Sequence, residues 1–336
     1  MKIWGLLAGA TMIMAAQSAQ ADDKPLIVFV SPNPIGVNDF LKLGRTGTEK
    51  VAASLGATAK VYESTDPTTQ RQNLEAAAKE GAKVVVAVGF EFNDMLPEVA
   101  EAHPGVKFLL VDSCPTTLRP NIYCSVFREY EPSFLAGAEA ALTTKSGKVG
   151  AIGALDIPFL HRYTDAFNEG AKHVKPDVKI APSLWVGGNN PFSDPARGHE
   201  RASLMVSDGV DRVMAAGAGS NGGIFKAMVD GTDAAAFGVD TNQCSQAPGY
   251  VMDNVEKRTD VVIEKGVPAV LKGDAQQIAA LGLSEGGMTL TGLEPGVEKS
   301  GCLIAKYPDA IAKVKALRDE IVAGKLKIED PMKLGK

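Results

Sequence analysis

Residues 84–113 read VVVAVGFEFNDMLPEVAEAHPGVKFLLVDS. Two apolar runs, Val84 to Val88 and Lys107 to Val111, flank a stretch from Asp94 to Ala102 whose apolar positions recur at helical spacing. Runs this short and this uniformly apolar are strands covered on both faces, and a helix between two of them makes a parallel crossover. The same alternation extends in both directions. Upstream are runs at Leu26 to Val30 and Ala59 to Tyr62; downstream are Ile122 to Val126, Lys148 to Ile152, Lys179 to Trp185, Val210 to Ala215, Ala235 to Val239 and Tyr250 to Met252. Helical patterns fall at Lys42 to Leu55, Gln70 to Glu80, Phe134 to Thr143, Tyr163 to Val174, Pro195 to Ser207 and Gly223 to Val229. The fold class is therefore α/β with doubly wound parallel sheets. Five such runs precede Phe127 and five follow it, too many for one open sheet of ordinary width, so two similar lobes are expected.

The composition fits a folded chain of this kind. Of 336 residues 45% are hydrophobic and 22% charged, which excludes disorder, and no apolar run long enough to span a bilayer occurs past the N-terminus. A net charge of -5 argues against nucleic acid as a partner, because phosphate binding needs concentrated Lys and Arg. The N-terminus has the layout of a cleavable signal peptide over residues 1–21: Lys2, an apolar stretch from Ile3 to Ala16, then Ala19-Gln20-Ala21. No Cys lies near that cleavage site, so the expectation is a periplasmic protein without a lipid anchor. Four cysteines remain, Cys114, Cys124, Cys244 and Cys302. In an oxidising compartment Cys114 can close a short loop with Cys124 and leave Cys244 for Cys302; four unpaired buried thiols are the alternative. The four His share no metal-ligand spacing, and neither metal nor cofactor is expected.

Open parallel sheets bind ligands beyond the carboxyl ends of their strands. The residues there are Asn33, Asn38 and Asp39, Gly89 and Phe90, Asp112, then Asp156, Phe159 and His161, Gly187 to Asn190, Gly217 to Gly223, and Asp240 to Gln243. Carboxylates, amides and rings together suit a neutral polar molecule with a flat apolar part. Gly217-Ala218-Gly219-Ser220-Asn221-Gly222 is a literal G-x-G-x-x-G after a strand, with Asp240 where a dinucleotide fold places its ribose-binding carboxylate. An exported chain has little access to nicotinamide cofactors, so only part of that chemistry is retained: backbone approach at a helix start, and a carboxylate for a ribose diol.

The sequence resembles the basic-membrane-protein family of periplasmic solute-binding proteins, which includes the purine nucleoside receptors of ABC importers. The resemblance rests on Val88-Gly89-Phe90-Glu91-Phe92, Lys107 to Ser113, Val126 to Glu131 with Phe134-Leu135-Ala136-Gly137, Gly147 to Gly153, Asp194 to Gly198, Gly238 to Gln243 and Glu256 to Val261. It implies a type I periplasmic-binding-protein fold, two Rossmann-like lobes joined by three crossovers. The lobes expected are residues 22–126 plus about 254–288, and 127–253 plus about 289–330. It further implies that Asn38 and Asp39 sit at the mouth, that Phe40 stacks on a base, that Asp112 reads the base edge, and that Asp240 with Lys257 holds the ribose. Apart from the resemblance, Lys257 reads as a solvated helix residue.

Two departures from the family pattern stand out. The segment between Asn38-Asp39 and Phe40 is two residues short, and Ala215 stands where some relatives have a second stacking aromatic, so one side of the base sandwich is either missing or supplied by Phe159, His161 or Trp185. The expected binding set is thus Asn38, Asp39, Phe40, Gly89, Phe90, Asp112, Phe159, Trp185, Gly217, Asp240 and Lys257. The expected function is capture of a purine nucleoside or related purine by a monomer that serves an ABC permease with a cytoplasmic ATPase. The alternatives are a sensor or carrier for a nucleobase or small sugar, and an exported nucleoside hydrolase using Asp112 or Asp240 as base.

Overall fold

In the computed structural model, which describes residues 24–334 apart from Thr232, the apolar runs pair into two sheets. The signal-peptide reading lies outside the described residues. The first sheet is built from β1 (Leu26–Ser31), β2 (Thr58–Glu63), β3 (Val84–Val88), β4 (Lys107–Val111) and β5 (Ile122–Phe127), linked by α1 (Asp39–Ser54), α2 (Pro67–Lys79) and α3 (Leu96–Ala102). Its strands are all parallel, in the order β2, β1, β3, β4, β5, with a later strand, β12 (Ile278–Leu281), beyond β5. Strand β3 is wholly buried because helices cover both faces, which is why its run shows no alternation.

The second lobe follows through α4 (Tyr130–Thr143), β6 (Lys148–Gly153) and α5 (Pro158–Val174), then β7 (Lys179–Ile180) and β8 (Leu184–Trp185). After these come α6 (Pro195–Ser207), β9 (Arg212–Ala216), α7 (Asn221–Asp230), β10 (Ala235–Asp240) and β11 (Val251–Lys257). These strands pair in parallel, and β13 (Met288–Leu290) adds antiparallel to β11. The single strand expected from Lys179 to Trp185 is two short pieces. Pro182 interrupts it, since proline offers no N–H to the ladder.

Helices α4 and α5 cross closely because glycine faces backbone in both directions. A Cβ on Gly137 would overlap the carbonyl of Phe167, and one on Gly170 that of Phe134.

The chain changes sheet three times: after Phe127, after Lys257 through α8 (Thr259–Lys272) to β12, and between Leu281 and Met288. Strand β11 belongs to the second sheet through Lys257, so the return to the first sheet comes later than the expected 254. The crossovers are fastened to one another. Arg128 donates to the carbonyl of Ala280 at 3.1 Å and pairs with Glu285; the Leu283 N–H donates to Glu131 at 2.9 Å; the Arg258 N–H donates to the carbonyl of Gly287 at 3.0 Å. After β13 the chain ends on the second lobe as α9 (Pro308–Val322) and α10 (Pro331–Leu334).

Both cysteine pairs are disulfides, Cys114 to Cys124 and Cys244 to Cys302, so the reading of four free thiols is set aside. Replacing Cys244 and Cys302 together by Ala is expected to cost about 2 to 4 kcal/mol, because the bond removes loop entropy from the unfolded chain. Urea unfolding measures it.

Candidate ligand-binding site

The carboxyl ends of β1, β3 and β4 face those of β9, β10 and β11 across a cleft. Of the expected residues, Asn38, Phe40, Gly89, Phe90, Asp112, Phe159, Asp240 and Lys257 line it. Asn38 does so while capping α1, its side chain accepting the Leu41 N–H at 3.3 Å.

Strand β11 carries the residue around which the site is built. Lys257 is 2% exposed and lies in a strand, not on a solvated helix. Its Nζ is 2.6 Å from Asp112 Oδ1 and 3.1 Å from Glu129 Oε1. The rings of Phe159, Phe127, Phe40 and Tyr163 surround the ammonium, with centroids 5.0, 5.3, 5.4 and 5.5 Å away. Such rings offer a cation their negative faces. Glu129 also accepts from Arg162 at 3.2 Å, and Arg162 pairs with Asp330 at 2.6 Å. The charges thus run unbroken from the first lobe, through two crossovers, to the C-terminal segment. Burial alone would lower Lys257, but Asp112, Tyr163, Glu129 and Asp240 together hold it well above its ordinary value, so it stays an ammonium. Burial raises the Asp112 carboxyl; Lys257 opposes the shift and Glu129 adds to it. Lys257 is thus paired with Asp112 and Glu129, and among the described residues no ion pair joins it to Asp240.

Asp240 is different. It is 5% exposed, and among the described residues its carboxylate has no hydrogen-bond or ion-pair partner within the protein. Burial raises it to about 6, opposed by Lys257, with Asp39 and Glu129 adding to the rise. Asp112 and Asp240 end corresponding strands of the two lobes, and both hold left-handed backbone, at φ 74° and 73°. Asp tolerates that region better than most residues, and strain of this kind collects where a side chain must be aimed.

Three expected contacts do not reach the cleft. Asp39 sits at its mouth, where Gln243 and Gln246 of the second lobe donate to Oδ2 at 3.1 and 3.2 Å; it joins the lobes and does not line the cavity. Trp185 packs over Gly153 and lies 5.2 Å from the His161 ring. That His bridges Asp156 and Asp165 at 2.9 Å each, outside the lining. The Gly217 N–H is taken by Asn221 Oδ1 at 2.9 Å, so the glycine-rich turn is closed by its own side chain and Ala216 and Ala218 face the cavity instead. Ala215 is fully buried in the sheet, away from the lining.

The structure adds Asn33, Glu91, Tyr163 and Phe192 to the lining. Phe192 stands 6.3 Å from Phe90, which in turn is 6.4 Å from Phe159. Its only sequence signal was its place in the loop after Trp185. Glu129, fully buried behind Lys257, was marked only as part of the family-like stretch Val126 to Glu131, and beside Arg128 and Tyr130 it reads as an ordinary helix start.

Two parallel lobes joined by three crossovers around an apolar cleft with a few convergent polar groups form the arrangement of a protein that captures a small molecule. The chain belongs to the family described as ABC transporter substrate-binding protein PnrA-like, whose model matches residues 24–327. It is similar to the ABC transporter nucleoside-binding protein BmpA of Lactococcus lactis subsp. cremoris, 28% identical over 283 residues, covering 80% of this chain and 77% of that one. An uncharacterized lipoprotein of Pyrococcus horikoshii is 29% identical over 295 residues, covering 84% and 71%. The crystal structure of an ABC transporter solute-binding protein from Aeropyrum pernix K1 superposes with a TM-score of 0.80 at 24% identity, over 91% of this chain and 94% of that one. The fold is the type I periplasmic-binding-protein fold. A substrate-binding protein of this family is not an enzyme, which sets aside the hydrolase reading.

Two substitutions separate the roles. Lys257→Met leaves Asp112 and Glu129 buried without their ammonium and is expected to cost about 3 to 5 kcal/mol in urea unfolding. Asp39→Ala removes the contacts at the mouth together with a partly exposed pair to Lys42 at 2.9 Å in the first turn of α1. It is expected to weaken ligand binding by about three- to tenfold in calorimetry while lowering the stability of the free protein by no more than about 1 kcal/mol.

Proposed function

We propose that the cleft captures a purine nucleoside or a closely related purine, and that the closed form presents it to an ABC permease driven by a cytoplasmic ATPase. The observation that carries this reading is Asp240, a buried carboxylate facing the cavity without a partner. A buried carboxylate needs donors, and a ribose diol supplies two adjacent hydroxyls. Phe40, Phe90, Phe159 and Phe192 provide apolar ring surface for a flat base. Closure follows from differential affinity, since only the closed form brings ring surfaces and carboxylates from both lobes onto one ligand. The protein acts as a monomer in the periplasm.

Asp240→Asn keeps a residue that tolerates positive φ and removes the charge. Nucleoside affinity is expected to fall about tenfold or more, at roughly 1.5 to 3 kcal/mol per charged hydrogen bond; unchanged affinity by isothermal calorimetry removes Asp240 from the site. The pH dependence has a definite sign. Asp240 rises from 3.8 to about 6 on folding, so it stabilises the free protein below pH 3.8 and that contribution is lost as pH climbs through about 6. Ligand donors favour the ionised form, so binding strengthens from about pH 5 to pH 7 and releases a proton near pH 6. Calorimetry in buffers of different ionisation enthalpy counts that proton.

A further inference from the structure

Glu91 lies just past β3, on the first-lobe side of the cleft, and lines the cavity beside Phe90. Its carboxylate folds back over Gly89, where a Cβ would collide with Oε2; Gly89 has φ 102° and no side chain to obstruct it. The other oxygen receives a long contact, 3.4 Å, from Asn33 Nδ2. Among the described residues no Lys, Arg or His pairs with it. The nearby ammonium of Lys257 is already shared by Asp112 and Glu129. Burial raises Glu91 above the ordinary carboxylate range, as expected where solvent is displaced and no cation replaces it. Its own backbone N–H and Asn33 offset only part of that rise, so further donors in the cavity would lower the cost of this half-buried carboxylate. With Asp112 and Asp240, it gives the cavity three carboxylates against one lysine that is already paired. The cleft is rich in acceptors, so its ligand must be rich in donors and carry no negative charge.

We infer that Glu91 determines specificity, selecting a ligand whose base presents two adjacent N–H donors. This rests on the purine nucleoside reading of the cleft, and within that class it means the 2-amino-6-oxopurine edge. There N1–H and the 2-amino group lie side by side and match both oxygens of one carboxylate in parallel hydrogen bonds. A 6-aminopurine sets its amino donor beside the N1 lone pair, which a carboxylate repels. A 6-oxopurine without the 2-amino group keeps one of the two donors. Asp112 cannot substitute, because Lys257 holds one of its oxygens at 2.6 Å.

The test is isothermal calorimetry of guanosine, inosine and adenosine against the full mature protein and its Glu91→Gln and Glu91→Ala variants, each first shown to melt cooperatively. The wild type is expected to bind guanosine about tenfold or more tighter than adenosine, with inosine between. Glu91→Gln, which keeps the shape and replaces one acceptor by a donor, is expected to lose most of that preference by weakening guanosine and leaving adenosine within about threefold. Glu91→Ala removes both acceptors and is expected to lose it as well. Equal binding of guanosine and adenosine by the wild type, or a Glu91→Gln variant that weakens all three alike, overturns the assignment and leaves the purine reading standing. Failure of all three nucleosides to bind the wild type overturns the purine reading and the assignment with it.

Discussion

The ammonium of Lys257 is the constraint to which the rest of the site answers. It lies at the end of the last parallel strand of the second lobe, yet its closest partner, Asp112, ends a strand of the first. Between them sits Glu129 on the first crossover, tied in turn to Arg162 and the C-terminal Asp330. Removing charges from water is expensive, and an ion pair repays it only when geometry and further hydrogen bonds are right. Here the repayment depends on the lobes being closed over the pair. Lobe position and electrostatics are therefore one problem: any opening that separates Asp112 from Lys257 must let water in to take the place of the partner.

The two strand-end aspartates show how the same local geometry acquires two roles. Asp112 and Asp240 share a left-handed backbone and deep burial, but Asp112 is spent on the hinge lysine while Asp240 stays unpaired. The first lobe thus contributes a structural carboxylate at the position where the second contributes a free one. Glu91, set over the flat backbone of Gly89, restores an unpaired acceptor to the first lobe.

The strands that place the site were legible wherever they are apolar. The runs at Val84 to Val88 and Lys107 to Val111 are strands with those same bounds, because burial on both faces leaves no room for polar residues. Strand β11 was legible only as far as Met252, since Asp253, Asn254, Glu256 and Lys257 resemble a solvated surface. Three of them are buried with specific partners: Asp253 accepts the Gly292 N–H at 2.8 Å, Asn254 accepts the Gln243 N–H at 3.1 Å, and Lys257 has its carboxylates. Those partners come from segments distant in sequence, so no local pattern announces them. The same holds at the cleft. Asp112 and Asp240 follow apolar strands and could be picked by position, whereas Phe192 and Glu129 became part of the site only through the packing of the crossovers and loops. Trp185 misled because a strand end in this fold points either toward the cleft or, on the outermost short strand, past it.

Each strand-end aspartate is followed within a few residues by a half-cystine: Cys114 two positions after Asp112, and Cys244 four after Asp240. One staple binds the turn beyond Asp112 to the neighbouring strand, and the other binds the loop beyond Asp240, with Gln243 and Gln246, to the last linker of the chain. A cytosol keeps such thiols reduced. A chain folding there would carry both aspartates on unstapled turns. In an oxidising compartment the two bonds hold the turns that follow both strand-end aspartates, one to a neighbouring strand and one to the C-terminal linker.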